Sequence, residues 1–130
     1  MCCLPDPTGV RAAPRILVVE DDRFVREIAD YELARAGFLV SLAPDGASAL
    51  ASVREEMPDA VVLDLRMPGM GGREVLHHLK ALNPQLPVFI FSVLGDFPEI
   101  VDDLGDADGC FAKSADLTPL ILAIRRAVRG

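Results

Sequence analysis

The sequence predicts an α/β domain: a parallel β-sheet wound with helices on both faces. Three observations predict it. Short apolar runs recur five times between Arg15 and Ala112. Segments with apolar residues at helical spacing alternate with them. Four of the five runs are rich in Val, Ile, Leu or Phe, as strands buried on both faces should be. Such alternation calls for a parallel sheet covered on both sides, and right-handed crossovers then make it doubly wound.

Residues 1–14 carry Pro5, Pro7 and Pro14 and no apolar period, which predicts a tail outside the fold, with the domain spanning 15–130. The first strand is Ile16–Val19, and a helix follows, marked by Val25, Ile28, Ala29, Leu33 and Ala36 and closed by Gly37. The second strand is Phe38–Leu42; the helix after it carries Ala47, Leu50, Ala51 and Val53 and ends before Pro58. The third strand is Ala60–Leu63, and Val75, Leu76, Leu79 and Leu82 mark a helix ended by Asn83 and Pro84. The fourth strand is Val88–Phe91. After it, Pro98 to Leu104 offers only a marginal helix of about seven residues, since short helices rarely stand alone. Gly109–Ala112 forms the fifth strand, and Asp116 caps a last helix carrying Leu117, Leu120, Ile121, Ile124 and Val128.

Composition narrows the function. A chain of 130 residues makes one domain, and a hydrophobic fraction of 51% excludes disorder. A net charge of −7 argues against direct nucleic-acid binding, which uses a basic face. The longest apolar run, Leu86 to Leu94, is broken by Pro87 and Ser92 and falls well short of the about 20 residues of a membrane span. Cys2, Cys3 and Cys110 form no disulfide framework. With neither a basic leader nor a signal-type apolar stretch, a reduced, cytoplasmic chain is expected.

Ligands of doubly wound sheets bind outside the carboxyl ends of the strands. There the sequence places Glu20, Asp21 and Asp22 after the first strand, Asp64 after the third, Ser92 after the fourth and Lys113 after the fifth. Carboxylates converging on one crevice must be protonated or metal-bound. Hard oxygen ligands suit Mg²⁺, and one carboxylate is also a candidate nucleophile toward phosphorus. A lysine and a hydroxyl opposite it supply charge neutralisation and hydrogen bonding for a phosphoryl group.

The strings Ile16-Leu-Val-Val-Glu-Asp-Asp22, Asp64-Leu-Arg-Met-Pro-Gly-Met-Gly-Gly72, Ser92 at a strand end and Phe111-Ala-Lys113 resemble the receiver domain of two-component response regulators. The resemblance covers roughly Arg15 to Arg129. It implies a flavodoxin-like fold with strand order 2-1-3-4-5, and Asp64 as acceptor of a phosphoryl group from a histidine of a sensor kinase or histidine phosphotransfer protein. Mg²⁺ would be held by Glu20, Asp21, Asp64 and the backbone carbonyl of Arg66, with Ser92 and Lys113 on the acyl phosphate. Asp22 is assigned instead to the helix start. Such a domain is no enzyme toward a separate substrate; it catalyses only its own phosphorylation and dephosphorylation. A downstream protein partner, and a homodimer as an assembly state, belong to the same expectation, with no membrane or nucleic acid among the partners. The chain ends beside its last helix, so the expectation is either a single-domain regulator or a receiver cut from something longer.

The family pattern also shows where this sequence differs. Cys110 stands where the family usually has an aromatic residue, and Phe111 beside it should face the other side of the sheet. Ser114 replaces the usual proline after Lys113, which predicts a trans bond there. Val93 and Leu94 narrow the mouth, and with Arg66 predict slow loss of a phosphoryl group. Gly69, Gly71 and Gly72 suit a turn with unusual dihedrals. His77 and His78, and the acidic stretch from Asp96 to Asp108, are read as solvated surface. A phosphate-binding loop is excluded by the charge of Glu20-Asp21-Asp22, and a haloacid-dehalogenase-type phosphatase by Arg66, where a second aspartate would be needed. The rival is a receiver-like module that binds partners without being phosphorylated.

Overall fold

The computed structural model describes residues 13–67, 69–92, 107–113 and 116–129. The order of elements is β1 (Arg15–Val19), α1 (Arg23–Arg35), β2 (Leu39–Ala43), α2 (Gly46–Glu55), β3 (Ala60–Leu63), α3 (Gly72–Leu82), β4 (Val88–Ser92), β5 (Gly109–Ala112) and α4 (Thr118–Arg129). All strand pairs are parallel, in the order β2-β1-β3-β4-β5. This is the doubly wound sheet expected from the sequence. The N-terminal tail up to residue 12, the marginal helix Pro98–Leu104, Val93, Leu94, Pro68 and the bond after Lys113 lie outside the described residues.

Side chains alternate strictly across the central strands. Leu17, Val19, Val61, Leu63, Val88 and Ile90 face α2 and α3, where Leu50, Val53, Val75 and Leu79 meet them. Ile16, Val18, Val62, Phe89 and Phe91 face α1 and α4 and pack on Leu33, Leu120 and Ile124. Burial follows position in the sheet. β3 and β4 are buried throughout, while the edge strands β2 and β5 are only partly covered. The weaker apolar character of Gly109–Ala112 is that of an edge.

The helices start and stop where local chemistry requires. Asp22 Oδ1 accepts from Phe24 N and Val25 N at 2.8 and 3.2 Å, capping α1. Asp45 Oδ1 caps α2 through Ser48 N, and Asp116 Oδ1 accepts from Thr118 N at the start of α4. After α1, Gly37 takes φ +100°, a left-handed conformation glycine adopts without strain. The second strand begins one residue later than its apolar run. Phe38 N is spent on Leu33 O at 3.2 Å, and its buried ring lies under the Arg125 guanidinium, 5.6 Å from the ring centroid.

The ion pair between Lys80 and Asp108 was not foreseen. Asp108, read as surface, accepts from Lys80 Nζ at 2.9 Å and from Val88 N at 2.8 Å through the same oxygen. Lys80 also donates to Leu86 O at 2.7 Å, so the end of α3 is tied to the starts of β4 and β5. Ile90 on β4, between β3 and β5, is 0% exposed, whereas Leu122 on α4 is 49% exposed. Ile90→Ala should therefore cost about 2–5 kcal/mol in urea denaturation, and Leu122→Ala should stay within about 0.5 kcal/mol.

Candidate functional site

The reversal of strand order between β1 and its two neighbours opens a crevice at the carboxyl ends. Val19 pairs with Leu63, so Glu20 and Asp64 emerge side by side, and Asp64 N donates to Val19 O at 2.9 Å. Across the sheet Ser92 pairs with Ala112, and Lys113 N donates to Ser92 O at 2.8 Å. One cleft is thus lined by Glu20, Asp21, Asp22, Asp64, Arg66, Ser92 and Lys113. All six residues expected at the site are there. Asp22 reaches the rim but commits its side chain to the α1 cap.

Glu20, Asp64 and Ser92 are buried polar groups, and Asp21 is exposed. Lys113 Nζ lies 3.0 Å from Glu20 Oε1 and 3.1 Å from Asp64 Oδ1, bridging the two. Glu20 Oε2 accepts from Asp22 N at 3.1 Å, while Oε1 is buried with no well-directed hydrogen bond among the described residues. Burial raises the Glu20 carboxyl to about 7; Lys113 and the Asp22 N–H pull it down, and Asp64 pushes it up. Burial likewise holds Asp64 above its usual range against the pull of Lys113. For Lys113 burial opposes the charge, but the two carboxylates more than offset it and its pKa is raised.

Carboxylate oxygens of Glu20, Asp21 and Asp64 all lie within 4.8 Å of one another. The donors are hard oxygens without thiol or imidazole, and one of the carboxyl groups, Glu20, has an oxygen with no well-directed hydrogen bond among the described residues. That set fits a small divalent cation such as Mg²⁺.

The loop after Asp64 is shaped by two glycines for different reasons. Gly69 has φ +77°, the unusual dihedral expected there, whereas Gly71 and Gly72 have none. Gly72 is needed for proximity instead: a Cβ would lie 2.5 Å from Asp64 O and 2.7 Å from the Leu65 Cα. Its N–H donates to Leu65 O at 2.9 Å, so α3 starts directly against the backbone of Asp64. On β5, Cys110 packs with the α2–α3 core and burial pushes its thiol up. Phe111 packs on the opposite face, its ring centroid 6.1 Å from that of Phe89. Arg26 went unread in the sequence, yet its Nη1 donates to Glu20 O at 2.9 Å and Asp21 O at 3.3 Å. The available signal was a cation one turn into the helix that follows an acidic loop.

Fold and cleft together define an acidic site at the strand ends of a doubly wound parallel sheet. Residues 16–125 match the family described as response regulator receiver domain, and the chain belongs to that family. It is 39% identical over 116 residues to the response regulator MprA of Mycolicibacterium vanbaalenii, covering 88% of this chain and 50% of that protein. It is 37% identical over 123 residues to the transcriptional regulatory protein PrrA of Mycobacterium tuberculosis, covering 94% and 52%. The chain thus spans about half the length of these relatives. Among solved structures, the receiver domain of NtrX from Brucella abortus superposes with a TM-score of 0.82 at 31% identity, covering 88% of this chain and 98% of that one. TrrA from Thermotoga maritima, solved in complex with Mg²⁺-BeF, superposes with a TM-score of 0.81 at 28% identity, covering 88% and 98%. No helix among the described residues is long and apolar enough to cross a membrane.

The raised Glu20 carboxyl sets a pH dependence with a definite sign. Between the ordinary value of 4.5 and the folded value of about 7, the metal-free folded chain holds a proton that the unfolded chain releases. Metal-free stability should therefore fall as pH rises through that window, and Glu20→Gln should flatten the slope in urea titrations. Divalent-cation affinity should run the other way and climb across neutral pH, because the ligand must be deprotonated.

Proposed function

We propose that the chain is a phosphoacceptor switch in two-component signalling, with Asp64 taking the phosphoryl group from a phosphohistidine. The donor is a sensor histidine kinase or a histidine phosphotransfer protein. The observation that carries this reading is the buried Asp64 carboxylate, with Lys113 at 3.1 Å and Glu20 and Asp21 beside it in one cleft. Glu20, Asp21, Asp64 and the Arg66 carbonyl are proposed to hold Mg²⁺, which when bound supplies positive charge against the phosphoryl oxygens.

An Asp64 carboxylate oxygen attacks phosphorus as the bond from phosphorus to the donor imidazole nitrogen breaks. The electron pair of that bond stays on the nitrogen of a donor ring that is protonated at its other nitrogen, leaving neutral histidine and an aspartyl phosphate. Lys113 sits where its ammonium pairs with phosphoryl oxygens instead of Asp64 alone. The Ser92 hydroxyl, at the end of β4 on the same cleft, donates to the acyl phosphate. The backbone N–H of Arg66 points at Asp64 Oδ1, 3.4 Å away, and steadies it. Output is a change in binding to a downstream protein partner in the cytoplasm, with a homodimer as one assembly state and no direct contact with nucleic acid.

Incubating the chain with acetyl phosphate and Mg²⁺ and weighing it intact should show the gain of one phosphoryl group. Asp64→Asn should abolish the gain. An unmodified wild-type mass, with a phosphorylated kinase as donor as well, would point to the module that binds without being phosphorylated.

Lifetime of the phosphorylated state depends on access for an in-line water. Arg66 is exposed on the cleft wall, two residues beyond the acceptor, and a guanidinium lies readily over phosphoryl oxygens. Arg66→Asn should speed loss of the phosphoryl group severalfold when decay is followed by mass. An unchanged half-life would remove Arg66 as a shield.

A further inference from the structure

We infer that Arg26 is a positioning residue that aims the Asp21 carboxylate by clamping the two peptide planes on either side of it. The inference rests on the reading of the cleft as a Mg²⁺ site. Glu20 O belongs to the peptide that enters Asp21, and Asp21 O to the peptide that leaves it. Arg26 Nη1 donates to both, at 2.9 and 3.3 Å. Peptide planes are rigid, so a residue has only φ and ψ to vary. Fixing both flanking planes fixes the direction of the Asp21 Cβ.

The other two carboxylates do not need this help. Glu20 is 1% exposed and Asp64 3% exposed, each held by packing and by Lys113 at 3.0 and 3.1 Å. Asp21 is exposed and follows the last residues of β1 without entering α1. Glu20 O and Asp21 O also fall outside the helical ladder, whose first acceptor is Asp22 O, taken by Arg26 N at 2.9 Å. The same residue therefore closes the first turn of α1 through its backbone and orders the preceding loop through its side chain. The guanidinium brings charge as well, but a like charge near a cation site can only weaken binding. Loss of charge and loss of the clamp thus act in opposite directions and are separable.

Lysine keeps the charge but presents a point donor on a flexible stem in place of the planar fork. Calorimetric titration of the whole chain with MgCl₂ would compare wild type, Arg26→Gln, Arg26→Lys and Asp21→Asn, with a thermal melt of each metal-free protein. Wild type should bind, Asp21→Asn should lose most of the affinity, and Arg26→Gln should weaken it roughly 10- to 100-fold, as removal of an orienting partner does. Arg26→Lys should weaken it by less, in spite of its retained charge. Wild-type affinity in both Arg26 variants, with lowered melting midpoints alone, would make Arg26 merely structural and overturn the inference while leaving the metal reading intact. Tighter binding in Arg26→Gln would overturn it too, by showing that charge outweighs the clamp. No binding in the wild type would overturn the metal reading itself and the inference with it. If Arg26→Gln does not fold, Arg26→Lys decides on the same criterion.

Discussion

The contact on which the rest of the site depends is the bridge from Lys113 to Glu20 and Asp64. Two buried carboxylates at adjacent strand ends repel each other, and desolvation alone favours their protonated forms. The ammonium 3.0 and 3.1 Å away makes the arrangement tolerable without satisfying it. Glu20 Oε1 has no well-directed hydrogen bond among the described residues, and the pKa of Glu20 remains at about 7. Breaking such a bridge from one side leaves uncompensated buried charge, which is worse than never having the pair. One shared ammonium therefore leaves the two buried carboxylates under-neutralised.

The fold is what permits this frustration. Glu20, Asp64 and Lys113 each follow a strand, and Ser92 ends one, whose residues belong to the core or its edge, so moving one would shift a whole register. A one-residue slip in this sheet would exchange the side chains packed against α2 and α3 with those packed against α1 and α4. Gly72 adds a second restraint, since α3 begins against the backbone of Asp64 and Leu65 with no room for a Cβ. Mutually repelling groups stay together because the elements carrying them have nowhere else to go.

Most of this was legible in the sequence because the informative residues stand at strand ends, where an apolar run gives way to charge. Ile16–Val19 followed by Glu20 and Asp21, and Ala60–Leu63 followed by Asp64, declare both the element and the direction of its end. Contacts made by side chains reaching across the chain declare nothing. Lys80 and Asp108 are 28 residues apart and meet only because β4 and β5 are neighbours. Asp108 looked like one more acid in an acidic stretch. Gly72 was read as a turn glycine, when its function is close approach, which depends on where α3 sits and not on a dihedral. Arg26 looked like any helix-surface cation, because a donor to backbone carbonyls leaves no partner side chain to find.

Strand β5 shows how far the site is separable from whatever reads it. Alternation across the sheet puts Cys110 toward the α2–α3 side and Phe111 toward α1 and α4, as period two requires. The ring of Phe111 is tilted against Phe89 and presses on Gly109, where a Cβ would come within 3.0 Å of it. A large aromatic is therefore present on this strand but committed to the other core. On the face where the family usually carries an aromatic, this chain carries a small thiol beside Ile90, and no swing of a ring can there follow a movement of Ser92. Yet Lys113, one residue beyond the strand, keeps both of its carboxylate contacts. The contacts of Lys113 are set by backbone register at the strand ends, whereas the room beside Ile90 is set by side-chain volume along the strand.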